Sequence, residues 1–136
     1  MGIRRRLLLV VALVLVVLLG TAATALAGTV TVNLKPHVVT KDLFGRAVVS
    51  HRNAATIYIY GPKGYYRSKY VPVTTQLLLT EPTITSRFYE APIGPYRVRV
   101  VWAPGYGTTR AIDVSQYPTI GWWAWQQNPT CNFASP

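Results

Sequence analysis

Two histidines, one cysteine and four carboxylates are the side chains of this 136-residue chain that could carry acid–base, nucleophilic or metal chemistry. Ser50 and His51 are adjacent, but successive side chains of a strand point to opposite faces, so they do not form a nucleophile–base pair. Around His37 the sequence shows neither a catalytic motif nor a metal-ligand spacing. The sequence therefore predicts a protein without enzymatic activity, bound metal or cofactor.

Tyrosines and arginines that alternate with apolar residues are the more informative set. Tyrosines alternate with isoleucines in ATIYIY, and arginines alternate with valines in YRVRVVW, so in strands they point away from a core. If these strands are neighbours, the rings and guanidinium groups form a ribbon that can stack on sugar rings or hold acidic glycans. The alternative is an ordinary solvated sheet face, for which Tyr and Arg are favourable residues. The six candidates for this ligand face are Tyr58, Tyr60, Arg87, Tyr89, Arg97 and Arg99.

Three of the four tryptophans lie within four residues of each other in GWWAWQ, near the end of the chain. A strand over this segment would put Trp122 on one face and Trp123 and Trp125 on the other, so one set needs a covering outside the core. The tail Asn128–Pro136 or a loop, a carbohydrate ligand, and a partner subunit are the three alternatives, the last because exposed tryptophans are enriched at interfaces. Cys131 is the single cysteine, so it cannot form an internal disulfide and would be available to bridge subunits.

Period-two alternation runs through almost all of the chain after residue 27, without a convincing helical stripe. Gly- and Pro-rich turns separate the segments, and Pro72 marks YYRSKYVPV as an edge strand. Such spacing predicts an all-β fold, an antiparallel Ig-like or transthyretin-like β-sandwich of about seven to nine strands. We expect one domain over residues 28–136. The strand candidates are TVTVNL, RAVVSH, ATIYIY, YYRSKYVPV, QLLLT, SRFYE, YRVRVVW, TRAIDVS and TIGWWAWQ.

Residues 1–27 have the pattern of a secretory signal peptide. MGIRRR is basic, the run Leu7–Leu19 is apolar, and Ala25-Leu26-Ala27 supplies small residues before a predicted cleavage after Ala27. The apolar stretch is also long enough to span a bilayer, so an uncleaved anchor is the alternative. Both interpretations place the remainder outside the cytoplasm, secreted or at the cell surface, with membrane association expected only if the leader is retained.

The remaining chain is basic. Of 14 Lys and Arg residues, Arg4, Arg5 and Arg6 belong to the leader, which leaves 11 against four acidic residues and a net charge of +7. Such a surface attracts polyanions, which include anionic glycans, lipid headgroups and nucleic acid. Outside the cell we expect an anionic glycan as a partner and no nucleic acid. The basic residues are scattered along the sequence, so a solvated surface is the alternative.

The segment GTVTVNLK, directly after the predicted cleavage site, is an amphipathic strand that Pro36 separates from the rest. A free terminal strand of this kind can fill the sandwich of a neighbouring copy, giving a head-to-tail contact and a filament. Folding back onto its own domain is the alternative. The candidate interface residues are Val30, Val32, Leu34, Trp122, Trp123, Trp125 and Cys131.

The stretch APIGPYRVRVVWAPGYGTTRAIDVS resembles the closing half of carboxypeptidase-regulatory-like, or transthyretin-like, sandwich modules and the related PEGA and CnaB-type modules. The segment AATIYIYGP is similar to an earlier strand of the same modules. The resemblance implies a sandwich of the seven-stranded type and a non-catalytic role in stalks, adhesins or accessory domains. Val100 stands where CnaB-type domains with an internal isopeptide bond carry Glu, so that cross-link is not expected. The matching residues are Gly94, Tyr96, Val98, Val100, Ala103, Pro104, Gly105 and Tyr106.

From these observations we expect a secreted, non-enzymatic structural or adhesive protein of the cell surface. Its most specific form is a pilus-like, self-assembling filament subunit that exchanges strands and is therefore a homo-oligomer or polymer. The alternative is a monomeric extracellular module that binds carbohydrate or another polyanion.

Overall fold

The computed structural model describes residues 27–77, 83–105, 108–123 and 127–136. These residues form strands and a single 3₁₀ turn at Pro62–Gly64. The strands are β1 (Gly28–Lys35), β2 (His37–Lys41), β3 (Ala47–Arg52), β4 (Ala55–Tyr60), β5 (Tyr66–Val71), β6 (Thr74–Leu77), β7 (Ile84–Ala91), β8 (Gly94–Pro95), β9 (Arg97–Trp102), β10 (Ile112–Gln116), β11 (Thr119–Ile120) and β12 (Thr130–Ala134).

Two sheets face each other across one hydrophobic core. One has the strand order β12-β1-β7 and the other β10-β9-β4-β5. Alternate residues of both sheets are buried and form a single apolar cluster. This is the pattern expected for strands that pack one face against a core. The predicted all-β fold and its sandwich architecture are confirmed, and the two facing sheets hold seven of the described strands.

The alternation read from the sequence places the central residues correctly. Ile57 and Ile59 are fully buried, as are Val98 and Val100 on the neighbouring strand β9. Strand β5 is the edge of the four-stranded sheet, as the proline after it indicated. Burial of large aliphatic side chains contributes about 1.5–3 kcal/mol each, so this layer is a main source of stability.

Strand β1 is the central strand of the three-stranded sheet. It pairs with β7 in antiparallel orientation and with β12 in parallel orientation, with Val32 opposite Cys131. The parallel pair departs from the antiparallel arrangement expected from the sequence. Parallel neighbours need a long connection, which the chain between β1 and β12 supplies.

The remaining strands form two smaller sheets. One has the order β2-β3-β6, and the other joins the two-residue strands β8 and β11. Strands β2 and β3 make a hairpin whose turn, Asp42–Arg46, closes with a hydrogen bond from the Asp42 amide to the Arg46 carbonyl oxygen (2.9 Å). This hairpin projects the turn residues away from the main core, where they are mostly exposed.

Two strand predictions near the end of the chain need correction. In TIGWWAWQ, β11 ends at Ile120 and residues 121–123 form a bend rather than a strand. After this bend, the Gln127 amide donates to the Trp123 carbonyl oxygen (3.0 Å). The last strand is instead β12, in what the sequence suggested was a tail, with Cys131 and Phe133 buried between exposed neighbours. Residues 78–80 of the candidate QLLLT lie outside the described residues.

A buried polar network ties the end of β12 to β3. His51 Nε2 lies 2.8 Å from Asn53 Oδ1, and Nδ1 lies 2.7 Å from Thr75 Oγ1. Since the amide oxygen can only accept, the contact with Asn53 requires a proton on Nε2 of His51. The Asn53 amide donates to Ser135 Oγ (2.9 Å), and the Ser135 amide donates to the Lys35 carbonyl oxygen (2.8 Å). The C-terminal segment is therefore fixed beside β1.

Candidate ligand-binding face

The outer face of the four-stranded sheet collects tyrosines and arginines from three adjacent strands. In the register of β4, Tyr58 lies beside Arg99 of β9, and Tyr60 lies between Arg97 of β9 and Tyr66 of β5. Directly opposed side chains of antiparallel strands are close enough to contact each other. We call these five residues, Tyr58, Tyr60, Tyr66, Arg97 and Arg99, the tyrosine–arginine face.

The three rings form a continuous row. The Tyr58 and Tyr60 ring centroids are 6.5 Å apart with nearly parallel planes, and those of Tyr60 and Tyr66 are 5.4 Å apart. Tyr66 is 48% exposed and Tyr60 is 37% exposed. Aromatic side chains in such a row expose flat apolar surface together with hydroxyl groups that can form hydrogen bonds.

The two arginines of this face have different surroundings. Arg99 holds Asp113 of β10 through Nε and Nη2, each about 2.9 Å from Oδ2, and its guanidinium lies 5.3 Å from the Tyr58 ring centroid. The hydrogen bond from Arg99 lowers the pKa of Asp113, and Asp113 together with Tyr60 raises the pKa of Arg99. Arg97 donates from Nε to the neutral Ser115 Oγ (3.2 Å). The charge of Arg99 is therefore matched by a carboxylate, whereas the nearest hydrogen-bond partner of Arg97 carries no charge.

Of the six residues predicted to form one ligand face, the structure brings four together. Arg87 and Tyr89 belong to β7, which pairs with β1 in the other sheet. Arg87 lies opposite Thr31 on the outer face of that sheet, and Tyr89 is 63% exposed there. Alternation along a strand predicts the face on which a side chain lies, but it does not predict which sheet the strand joins.

Sequence reasoning did not select the tyrosines of β5. Tyr66 and Tyr70 both point outward from the edge strand, and Tyr70 lies opposite Thr56. The signal was present, since YRSKY alternates after the turn Gly61–Gly64 and a hairpin places it beside the preceding strand.

The candidate interface residues are divided between the core and the surface. Val30, Val32 and Leu34 are fully buried in the chain's own sandwich. Cys131 is buried too, and desolvation raises the pKa of its thiol, which disfavours the reactive thiolate.

The described tryptophans of the cluster remain at the surface. Trp122 is 62% exposed and Trp123 is 40% exposed, and their ring centroids are 4.0 Å apart. Trp125 lies outside the described residues. Trp123 is close in the chain to Asn128, whose Oδ1 accepts from the amide of Thr29 in β1 (2.9 Å). The Trp123 carbonyl oxygen accepts from the amide of Gln127, the residue before Asn128, so the backbone of Trp123 lies near the start of β1.

The histidines form a small cluster of their own. The rings of His37 and His51 are 5.5 Å apart in an edge-to-face arrangement. Burial, and secondly the neighbouring His51, lower the pKa of His37. Across the described parts of the chain, no three His, Cys, Asp or Glu side chains converge as metal ligands.

No protein family, curated protein or solved structure matches this chain. The resemblance to transthyretin-like modules therefore stays a prediction from the strand and turn pattern. Within the described ranges, no helix is both long and apolar enough to cross a bilayer.

Proposed function

We propose that this chain is a secreted, non-enzymatic protein with an adhesive role at the cell surface, and that it binds carbohydrate through the tyrosine–arginine face. The observation that carries this proposal is the row of three contacting tyrosine rings with two arginines beside it. A solvated sheet face needs polar strand residues, but it does not need a row of three neighbouring tyrosine rings, two of which are exposed.

The geometry favours sugars over other small ligands. A pyranose ring offers a flat face of C–H groups and a rim of hydroxyls, which suits an exposed tyrosine whose ring packs and whose hydroxyl group forms hydrogen bonds. The Tyr60 and Tyr66 rings are close enough to contact one sugar unit together. Stacking on these rings would contribute the larger part of the affinity.

The arginines add a preference for acidic sugars. Arg97, whose hydrogen-bond partner here is a serine hydroxyl, can offer its guanidinium to a carboxylate or sulfate group. Arg99 is already held by Asp113, so it positions the Tyr58 ring more than it attracts anions. We therefore expect carbohydrate binding with a modest dependence on salt.

A glycan array that includes matched neutral and acidic oligosaccharides tests this proposal. Binding to acidic members, with weaker binding to their neutral counterparts, is the expected result. Absence of binding to every saccharide, or binding that disappears completely with moderate salt, would contradict it.

Strand exchange is the second candidate, and one feature favours it. Strand β1 fills a slot between β7 and β12, and Pro36 alone separates it from β2. Short connections of this kind favour exchange of an identical strand between copies. Since β1 occupies this slot within its own chain, a filament would require its withdrawal from the core.

A cross-link between β1 and β12 distinguishes the two arrangements. Val32 lies opposite Cys131, so Val32→Cys followed by mild oxidation places two thiols on facing residues of adjacent strands. A monomer with an internal cross-link would show that β1 folds within its own chain. Covalent multimers on a non-reducing gel would show strand exchange, and Val100→Cys, on the other sheet, is the control for non-specific oxidation.

A further inference from the structure

The turn between β2 and β3 presents two large apolar side chains to solvent. Leu43 is 101% exposed and Phe44 is 82% exposed, more than any other large apolar side chain in the described ranges. Single exposed apolar residues are ordinary on protein surfaces. Two consecutive ones at the apex of a projecting hairpin form a compact apolar point, which we call the apolar apex.

The apex is held in a fixed shape by Asp42. Its Oδ1 accepts from the amides of Phe44 (2.9 Å) and Arg46 (2.8 Å), and its carbonyl oxygen accepts from the Gly45 amide (3.1 Å). Gly45 has φ +77°, a left-handed conformation that favours glycine. Three successive backbone donors of the turn are thus satisfied inside it.

These bonds change the cost of moving the apex out of water. A backbone N–H that loses its water partner in an apolar medium is costly unless it is already hydrogen-bonded. The amides of Phe44, Gly45 and Arg46 donate to Asp42 within the turn, so they keep these hydrogen bonds when the turn enters an apolar medium. Because the turn is already ordered, little conformational entropy is lost on binding.

The charges around the apex are suited to an anionic surface. The Arg46 guanidinium pairs with Asp42 (Nε to Oδ2 2.8 Å) and lies 5.3 Å from the Phe44 ring centroid. Lys41 is exposed at the end of β2. The Asp42 carboxylate is thus matched by Arg46, which leaves the positive charge of Lys41 beside the apex.

From this arrangement we propose that the apolar apex inserts Leu43 and Phe44 into the headgroup–acyl boundary of an anionic lipid bilayer, with Lys41 and Arg46 at the headgroup level. A convex point two residues wide fits between lipids, whereas a protein partner would need a matching cavity. Basic residues near an anionic leaflet add to such binding, and the net charge of +7 after the leader acts in the same direction. This interaction is independent of the carbohydrate face and of the fate of residues 1–27.

Vesicle co-sedimentation tests the proposal. The full chain is expressed with its leader, and the N terminus of each purified protein is read by mass spectrometry so that variants are compared in the same processed form. The probes are vesicles of phosphatidylcholine alone and of phosphatidylcholine with about 30 mol% phosphatidylglycerol. We expect binding to the anionic vesicles and a loss of about tenfold or more in the double variant Leu43→Ser/Phe44→Ser, since removing about 1.4 kcal/mol of apolar transfer corresponds to tenfold.

The matched control is Val73→Ser/Tyr117→Ser, which removes two exposed apolar side chains elsewhere and should leave vesicle binding unchanged. A second pair of variants tests the fixed turn. Asp42→Asn and Asp42→Ala remove the same charge, but only Asp42→Asn keeps the Oδ1 acceptor, so Asp42→Ala should bind the vesicles more weakly than Asp42→Asn. The proposal is overturned if the wild type does not bind anionic vesicles, or if the double variant binds as tightly as the wild type. It is also overturned if the double variant only abolishes a concentration-dependent dimer seen by light scattering, which would assign the apex to a second copy.

Discussion

The two outer faces of the sandwich have the same period-two alternation but carry different side chains on their inner strands. On the three-stranded sheet, Thr85 Oγ1 donates to Asn33 Oδ1 (2.7 Å) and Asn33 Nδ2 donates to Asn132 Oδ1 (3.0 Å). These two bonds link side chains of all three strands, and we call Thr85, Asn33 and Asn132 the polar ladder. On the four-stranded sheet, the tyrosine–arginine face instead presents rings and hydroxyls to solvent.

The difference shows how a solvated face and a candidate binding face can be distinguished in one molecule. The polar ladder shows that this chain can form a solvated sheet face from short Thr and Asn side chains. A cross-strand side-chain pair contributes only about 0.2–1 kcal/mol to the stability of a sheet. Stability alone therefore does not explain why three tyrosine rings are placed in one row. Arg87 and Tyr89 were also predicted to bind ligand but lie exposed on the three-stranded sheet, so they supply matched controls for an arginine variant and a tyrosine variant of the tyrosine–arginine face.

The largest expected difference between the faces comes from the aromatic row. Tyr60→Ala/Tyr66→Ala should lower carbohydrate affinity about tenfold or more, since each lost aromatic contact contributes about 0.5–1.5 kcal/mol. Tyr89→Ala should leave the affinity unchanged, because Tyr89 lies on the other sheet. The fold should be preserved too, since Tyr65 Oη donates to the backbone carbonyl oxygen of Tyr89, which the variant keeps. Isothermal titration with the tightest array saccharide measures both. Equal losses in the two proteins would remove the distinction between the faces.

The alternation alone predicted much of this contrast. In ATIYIY, Tyr58 and Tyr60 were correctly placed opposite Ile57 and Ile59. The alternation could not predict which strand pairs with β7. SRFYE alternates like YRVRVVW, but it pairs with residues of β1 that lie more than fifty positions earlier in the sequence. Pairing between distant strands depends on global packing rather than on local pattern.

Strand β12 was missed for a different reason. TCNFA alternates over only five residues and follows the tryptophan cluster, whose aromatic residues have the higher strand propensity. The turn DLFGR also carried a signal, with Asp at its start and Gly near its end. Neither pattern shows that Leu43 and Phe44 would project without a packing partner, since burial is decided by the whole fold.

The second prediction concerns the polar ladder. Asn33→Ala removes both side-chain bonds of the central residue and should lower the free energy of unfolding by about 0.5–1.5 kcal/mol. Carbohydrate affinity should not change, because the ladder faces away from the tyrosine–arginine face. Urea denaturation measures the stability, and an unchanged unfolding midpoint would mean that the ladder is only a surface arrangement.

The third prediction compares the two arginines at equivalent outward positions. Arg97→Ala should weaken binding to an acidic oligosaccharide about threefold, consistent with an exposed charge pair of about 0.2–1 kcal/mol. Arg87→Ala should have no effect, although it removes the same charge from the protein. A similar loss in both variants would indicate attraction to the overall basic charge rather than to this face.

The smallest expected effect is a pH dependence at Asp113. Its pKa is lowered below the ordinary 3.8 by the hydrogen bond from Arg99, so any contribution of the ionised pair is complete above that ordinary value and is lost as pH falls through the lowered pKa. Between neutral pH and about pH 5, Asp113 stays ionised and should not alter carbohydrate affinity. Carboxyl chemical shifts measured by NMR titration give the pKa, and a value above 3.8 would contradict the bonded pair.

The most direct test is NMR mapping of the bound saccharide on the isotope-labelled protein. We predict that titration shifts the resonances of Tyr58, Tyr60, Tyr66 and Arg97, and leaves those of Asn33, Arg87 and Tyr89 unchanged. Shifts confined to the three-stranded sheet, or to Trp122 and Trp123, would contradict the assignment of binding to the tyrosine–arginine face.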